Sequence, residues 1–223
     1  MDKNIFIGVN GILSNGKRST DKFLFELETN YECCIEDFYY RRVSLFDVGV
    51  RLRKSTSGFF ITAIAKRLIS TQQGFLNRPV SIIAHSFGCL VVLRALQMGL
   101  KAKNVFLFAP AANEEEFINT NNVDHVYVIH NHDDFIIKLG SMLLFHEFGG
   151  MGVNGSYQKE DKVTNILYRD NQPLNLVSIL KGLFTNHGIY FKDVHIHYWI
   201  DFISNICELK RRRFNNDIPS ANN

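Results

Sequence analysis

Short apolar runs alternate with longer helical patterns from one end of the chain to the other, which predicts an α/β protein: a mostly parallel central sheet with helices on both faces. Two further observations support this class. Several of the runs are nearly continuous in apolar or β-branched residues, as strands covered on both faces should be. There is also no internal repeat and no Pro- or Ser-rich linker to divide the chain. The expected strands are Ile5 to Val9, Cys33 to Tyr39, Val80 to Ala84, Val105 to Phe108, Val123 to Ile129 and Val163 to Tyr168. Between them the spacing predicts helices over Lys22 to Glu28, Gly58 to Ser70, Phe87 to Met98, Glu114 to Asn119, Phe135 to Phe148 and Tyr198 to Arg213. Gly99 stands where a glycine would end the third helix. The stretches 149–161 and 171–193 read as irregular.

With 223 residues, the chain can bury a substantial core, and one compact domain over 1–213 is expected, with 214–223 as a disordered tail. About fifteen residues separate the strand ending near Phe108 from the one starting near Val123, too few for a large cap domain. A formal net charge of +3 gives no reason to expect nucleic acid or anionic lipid as a partner. The one basic run, Lys210 to Arg213, follows an apolar stretch and reads as cations at a helix C-terminus. The alternative for it is attachment to a membrane or to nucleic acid. The first apolar stretch is too short for a secretory signal, and no segment is long enough to span a bilayer. Cys33, Cys34, Cys89 and Cys207 lack metal-binding spacing and read as reduced thiols, so the cytoplasm is the expected compartment, with neither metal nor cofactor.

The chemistry concentrates at Val80-Ser81-Ile82-Ile83-Ala84-His85-Ser86-Phe87-Gly88-Cys89-Leu90-Val91. A buried strand runs into a small-x-Ser-x-Gly pentapeptide and then directly into an apolar helix. A serine at such a turn is held strained with its hydroxyl exposed, while small residues two before and two after it let strand and helix approach. The helix N-terminus favours developing negative charge there. The plain alternative for Ser86 is a helix N-cap.

This segment resembles the nucleophile elbow of the α/β-hydrolase fold, with Ala84 where the strict pattern has glycine. The resemblance implies an oxyanion hole from the backbone N–H groups of Phe87 and Ile12, because Asn10-Gly11-Ile12 resembles the family's early strand followed by His-Gly, with Asn10 in the place of histidine. It also implies an acid after a later strand. Aligning Asn131 with the family's glycine and Ile137 with its aliphatic position selects Asp134, with Asp133 as the alternative. A metal site built from His130, His132, Asp133 and Asp134 is disfavoured, since consecutive residues on one turn cannot all converge on an ion. The base is expected just before the C-terminal helix, where His195-x-x-Tyr198-Trp199 resembles a lipase-like arrangement; His197 is the alternative to His195.

What the resemblance implies is a serine hydrolase that cleaves a carboxylic ester or thioester through an acyl-enzyme, using Ser86, Asp134 and His195 on a small-molecule or lipid-like acyl substrate. The competing class is an inactive hydrolase scaffold serving as a binding module. Oligomeric state is not legible in the sequence.

Overall fold

The computed structural model describes residues 3–11, 20–38, 40, 57–75, 78–138, 149–169 and 186–212. Six strands form one sheet: β1 Asn4–Val9, β2 Cys33–Phe38, β3 Val80–His85, β4 Ala102–Phe108, β5 Val123–His130 and β6 Val163–Leu167. Their order is β2-β1-β3-β4-β5-β6, and every neighbouring pair is parallel. The chain moves from β1 outward to β2 and then returns to the other side of β1 to lay down β3. Strand order therefore reverses between β1 and β3, and in an open parallel sheet the crevice beyond the carboxyl ends of two such strands is where ligands bind. Asn10 and Gly11 follow β1, and Ser86 follows β3.

Both faces of the sheet are covered, with alternation of period two deciding which side chain goes where. Ile5, Ile7, Val9, Ile82, Ala84, Val105, Leu107, Val126 and Val128 pack with helices α2 (Ser57–Gln73) and α3 (Phe87–Gln97). Phe6, Ile83, Phe106, Phe108 and Ile129 pack on the opposite face with α1 (Asp21–Asn30) and the last helix, α5 (Asp193–Ile206). A one-turn helix, α4 (Met151–Asn154), stands beside the end of β5. At the end of α3 the Gly99 φ of 94° permits a Schellman closure, with Leu100 N–H donating to Ala95 O at 2.9 Å and Gly99 N–H to Leu96 O at 3.1 Å.

Two expected helices differ. No helix forms over Glu114 to Asn119. Six residues are too few to nucleate one unaided, and side chains satisfy the backbone instead: Asn113 Oδ1 accepts from Glu115 N at 3.0 Å, while the Gln158 amide accepts from Ile118 N at 2.8 Å and donates to Ile118 O at 2.9 Å. The final helix spans Asp193–Ile206 rather than Tyr198 to Arg213, because Ile196, Trp199, Ile200 and Ile203 form a single buried stripe whose first turn begins before Tyr198. The basic run consequently does not end a helix. Glu208 turns the chain at a φ of 52°, Arg211 bridges antiparallel to Tyr31, and Arg212 N–H donates to Asn30 O at 2.8 Å. Of the helix expected over Phe135 to Phe148, residues 135–138 are helical and the rest lie outside the described residues, as do Ile12, Arg213 and the expected tail 214–223.

Trp199 is fully buried and meets Phe108 edge to face, centroids 5.2 Å apart at 89°. Truncating it leaves a large void between α5 and the sheet. Trp199→Ala is expected to lower unfolding free energy by about 3–5 kcal/mol, measured as a shift of the urea midpoint at constant m-value; a loss under about 1 kcal/mol would contradict this packing.

Candidate active site

Ser86 leaves β3 with φ 56° and ψ −124°, a left-handed backbone that a side chain other than glycine's rarely adopts. The surrounding main chain holds it there. Its N–H donates to Phe108 O at 2.9 Å, and its carbonyl accepts from Cys89 N at 3.0 Å and from Ala111 N at 3.2 Å. A second left-handed residue, Ala109 at φ 46°, follows β4 directly alongside. Close approach sets the remaining geometry. A Cβ added at Gly88 would lie 2.3 Å from Val9 O and 2.7 Å from Asn10 O, so only glycine lets the start of α3 press against the end of β1. A Cβ at Gly11 would lie 3.0 Å from Ser86 Cβ and 3.4 Å from its Oγ, which puts the loop after β1 immediately beside the hydroxyl.

That loop is tied at both ends. Asn10 Oδ1 accepts from Thr20 Oγ1 at 2.6 Å and from Thr20 N at 3.3 Å, and the Tyr40 hydroxyl donates to Asn10 O. Asn10 thus replaces the family's histidine with a side chain that clasps residue 20. Ile12, between the two, is outside the described residues, so the expected second oxyanion donor has no geometry here. Phe87 begins α3 at the expected position, with its ring buried.

After β5 the chain turns through Asn131 to Asp134. Asn131 Oδ1 accepts from Asp133 N at 2.8 Å, and Asp134 Oδ1 accepts from Ile137 N at 3.1 Å, capping the helical turn at 135–138. Asp133 faces solvent while Asp134 is wholly buried, so the turn presents one carboxylate inward. Its other oxygen, Oδ2, accepts from His187 Nδ1 at 2.8 Å. That bond places the imidazole proton on Nδ1 and leaves Nε2 as the basic lone pair of the neutral ring.

His187, and not His195, is therefore the histidine that the structure brings to Asp134. His195 lies in the first turn of α5, where its N–H donates to Lys192 O at 2.9 Å and its Nδ1 is engaged by the Tyr168 hydroxyl. His197 is exposed and stands 3.7 Å from Glu26. The structure does not bring His195 to Asp134, because the helix starts at Asp193 and makes the expected loop residue a helical one. His187 sits in the stretch read as irregular, within the 3₁₀ segment Asn186–Phe191, flanked by Asn186 and Gly188. An Asn-His-Gly turn before a helix was the available signal. Among the described residues no group of three or more His, Cys, Asp or Glu side chains is arranged to hold a metal, and His130 Nδ1 donates instead to Val153 O at 2.9 Å. No described helix is long and apolar enough to cross a membrane.

His85, the last residue of β3, is buried, which together with the neighbouring His187 holds its imidazole down to about 3. In the unfolded chain that group titrates near its ordinary value of about 6.5. Between these values the unfolded state binds more protons than the folded one, so stability rises with pH across the window and is lost as pH falls below about 6.5. One such group contributes at most a slope of ~1.4 kcal/mol per pH unit. Unfolding curves taken from pH 7 to pH 4 are expected to show this acid loss, and His85→Gln to reduce its slope; an unchanged slope would place the acid sensitivity elsewhere.

Residues 65–138, which include Ser86 and Asp134, match the Serine hydrolase family. No curated protein matches the chain in sequence. Among solved structures, the fold is similar to a protein of unknown function from Agrobacterium tumefaciens assigned to the α/β hydrolases, with a TM-score of 0.54, 14% identity and coverage of 95% of this chain and 89% of that one. A hydrolase assigned to the α/β superfamily from Xanthomonas campestris pv. campestris gives 0.50 at 11% identity, covering 92% of this chain and 99% of that one. A cutinase-like protein from Cryptococcus sp. gives 0.50 at 14% identity, covering 91% and 94%. The chain thus has the α/β-hydrolase fold, and residues 65–138, which carry Ser86 and Asp134, are similar to the serine hydrolase family.

Proposed function

We propose that the protein hydrolyses a carboxylic ester or thioester of a small or lipid-like acyl group, with Ser86 as nucleophile, His187 as general base and Asp134 as the carboxylate that orients it. The observation that carries this reading is the His187–Asp134 bond of 2.8 Å, which gives the imidazole the tautomer a base needs on the rim where Ser86 is held in its left-handed turn. His187 Nε2 takes the Ser86 hydroxyl proton as Oγ attacks the acyl carbon, and the same proton passes to the departing alcohol or thiol as the tetrahedral intermediate collapses. Water, deprotonated by His187, then attacks the acyl-enzyme, and the carboxylic acid leaves with Ser86 restored. Asp134 holds the ring through Nδ1 and stabilises the imidazolium.

The N–H groups of Phe87 and Ile12 are proposed to stabilise the oxyanion, supported by Phe87 standing at the head of α3 and by Gly11 lying against Ser86. An ester substrate is in keeping with the cutinase-like structural neighbour. A reducing compartment such as the cytoplasm is in keeping with the free state of all four cysteines.

Turnover of p-nitrophenyl acetate tests the assignment. Ser86→Ala is expected to abolish it without unfolding the protein, His187→Ala to reduce kcat by ~10⁴-fold or more, and His195→Ala to leave it within a few-fold of wild type. Activity lost in His195→Ala and kept in His187→Ala would return the base to α5. A folded wild-type protein that neither turns over esters nor reacts with a fluorophosphonate would be a scaffold rather than an enzyme.

A further inference from the structure

His85 takes no part in the proton path proposed above, yet its ring is aimed at the base. It is 5% exposed, and its Nε2 lies 2.9 Å from the main-chain carbonyl of His187. A carbonyl can only accept, so Nε2 of His85 carries the hydrogen. The two imidazoles lie 4.8 Å apart, and Phe191 closes edge-on over the His85 ring at 5.2 Å and 84°.

The two ends of this bond differ in rigidity. His85 ends β3 and is registered against Phe108 of β4, so its backbone is fixed by the centre of the sheet. His187 belongs to a short 3₁₀ segment whose next residue, Gly188, departs from helical geometry at φ −107° and ψ 17°. Six residues of 3₁₀ structure do not fix a backbone well by themselves. Asp134 grips the imidazole at Nδ1, but that contact alone leaves the main chain of His187 free to shift or the side chain free to pivot about the bond. Holding the carbonyl as well gives the base two points of attachment, one on the ring and one on the backbone. The second comes from the residue immediately preceding the nucleophile, so Ser86 and the base are referred to the same strand end.

We infer that His85 is a positioning residue which, through its N–H bond to the His187 carbonyl, sets the base at the height of the Ser86 hydroxyl. The inference rests on the triad proposed above. It predicts an effect on acylation rather than on substrate binding, since His85 acts only through His187.

The test compares His85→Phe, which keeps an aromatic ring but removes the donor, with His85→Gln, whose amide nitrogen falls near the position of Nε2. For each, the rate of fluorophosphonate labelling and the kcat and KM for p-nitrophenyl acetate are measured on protein shown to be folded by circular dichroism. His85→Phe is expected to lose roughly 10- to 100-fold in labelling rate and in kcat, the scale of an ångström of misplacement, with KM within about twofold of wild type. His85→Gln is expected to recover most of that loss. If His85→Phe does not fold, His85→Gln against His85→Asn carries the comparison, because both bury an amide and only the longer one reaches the carbonyl; equal rates in that pair overturn the inference. Wild-type rates in His85→Phe, with His187→Ala inactive, overturn the positioning role and leave the triad standing. A wild-type protein that does not label overturns both.

Discussion

The geometry of the site depends on one backbone constraint, the left-handed turn at Ser86 where the end of β3 is forced directly into α3. A non-glycine residue with φ near 56° is disfavoured and persists only where its surroundings fix it. Here the Phe108 carbonyl of β4 and the Ala111 amide of the segment after it supply the hold, and Gly88 allows α3 to lie against the Val9 carbonyl without a methyl group between them. The strain belongs to the place where β1, β3 and β4 end together, and that convergence is what brings Gly11, Ser86 and the turn after β5 to one rim.

The His187 side of the site is built differently. No strand presents His187; instead the three residues closing its segment, Ile189, Tyr190 and Phe191, are buried with Phe23, Phe108 and Trp199 on the α1/α5 face. Tyr190 and Phe191 each meet Phe108, at 5.5 Å and 5.2 Å between centroids. The aromatic layer thus anchors the segment just past the histidine, while Asp134 and His85 fix the histidine itself. Trp199, packed edge to face on Phe108, joins this layer to α5, so packing on that face and the placement of His187 are one structural problem.

The sheet, and the places of Ser86 and Asp134 at its rim, were legible in the sequence because local patterns encode them. Short apolar or β-branched runs marked all six strands to within three residues, and the strand–serine–glycine–helix string marked the turn at Ser86. The inward choice of Asp134 over Asp133 followed from the aliphatic spacing after it, since Ile137 is the buried residue of that turn. The histidine beside Asp134 was not legible for a corresponding reason: His187 lies on a connection that carries no periodicity, whereas the more conspicuous His195 precedes an aromatic pair. The stripe Ile196, Trp199, Ile200 and Ile203 already has helical spacing, and extending it one turn back absorbs His195 into α5. The role of Asn10 was out of reach for another reason, because its partners Thr20 and Tyr40 are set by tertiary contact and not by any local rule.

The fold also has a direction that the C-terminal strap makes usable. Lys210 O accepts from Glu32 N at 2.8 Å, and Arg212 Nε donates to Tyr31 O at 2.9 Å, so this stretch is fastened where β2 begins, at the opposite end of the strands from Ser86. A partner joined directly at Arg212 would leave the molecule at its base. A protein immobilised on a bead or an electrode through that point would hold its crevice outward toward the solution, with the length of the strands between the anchor and an arriving reactant.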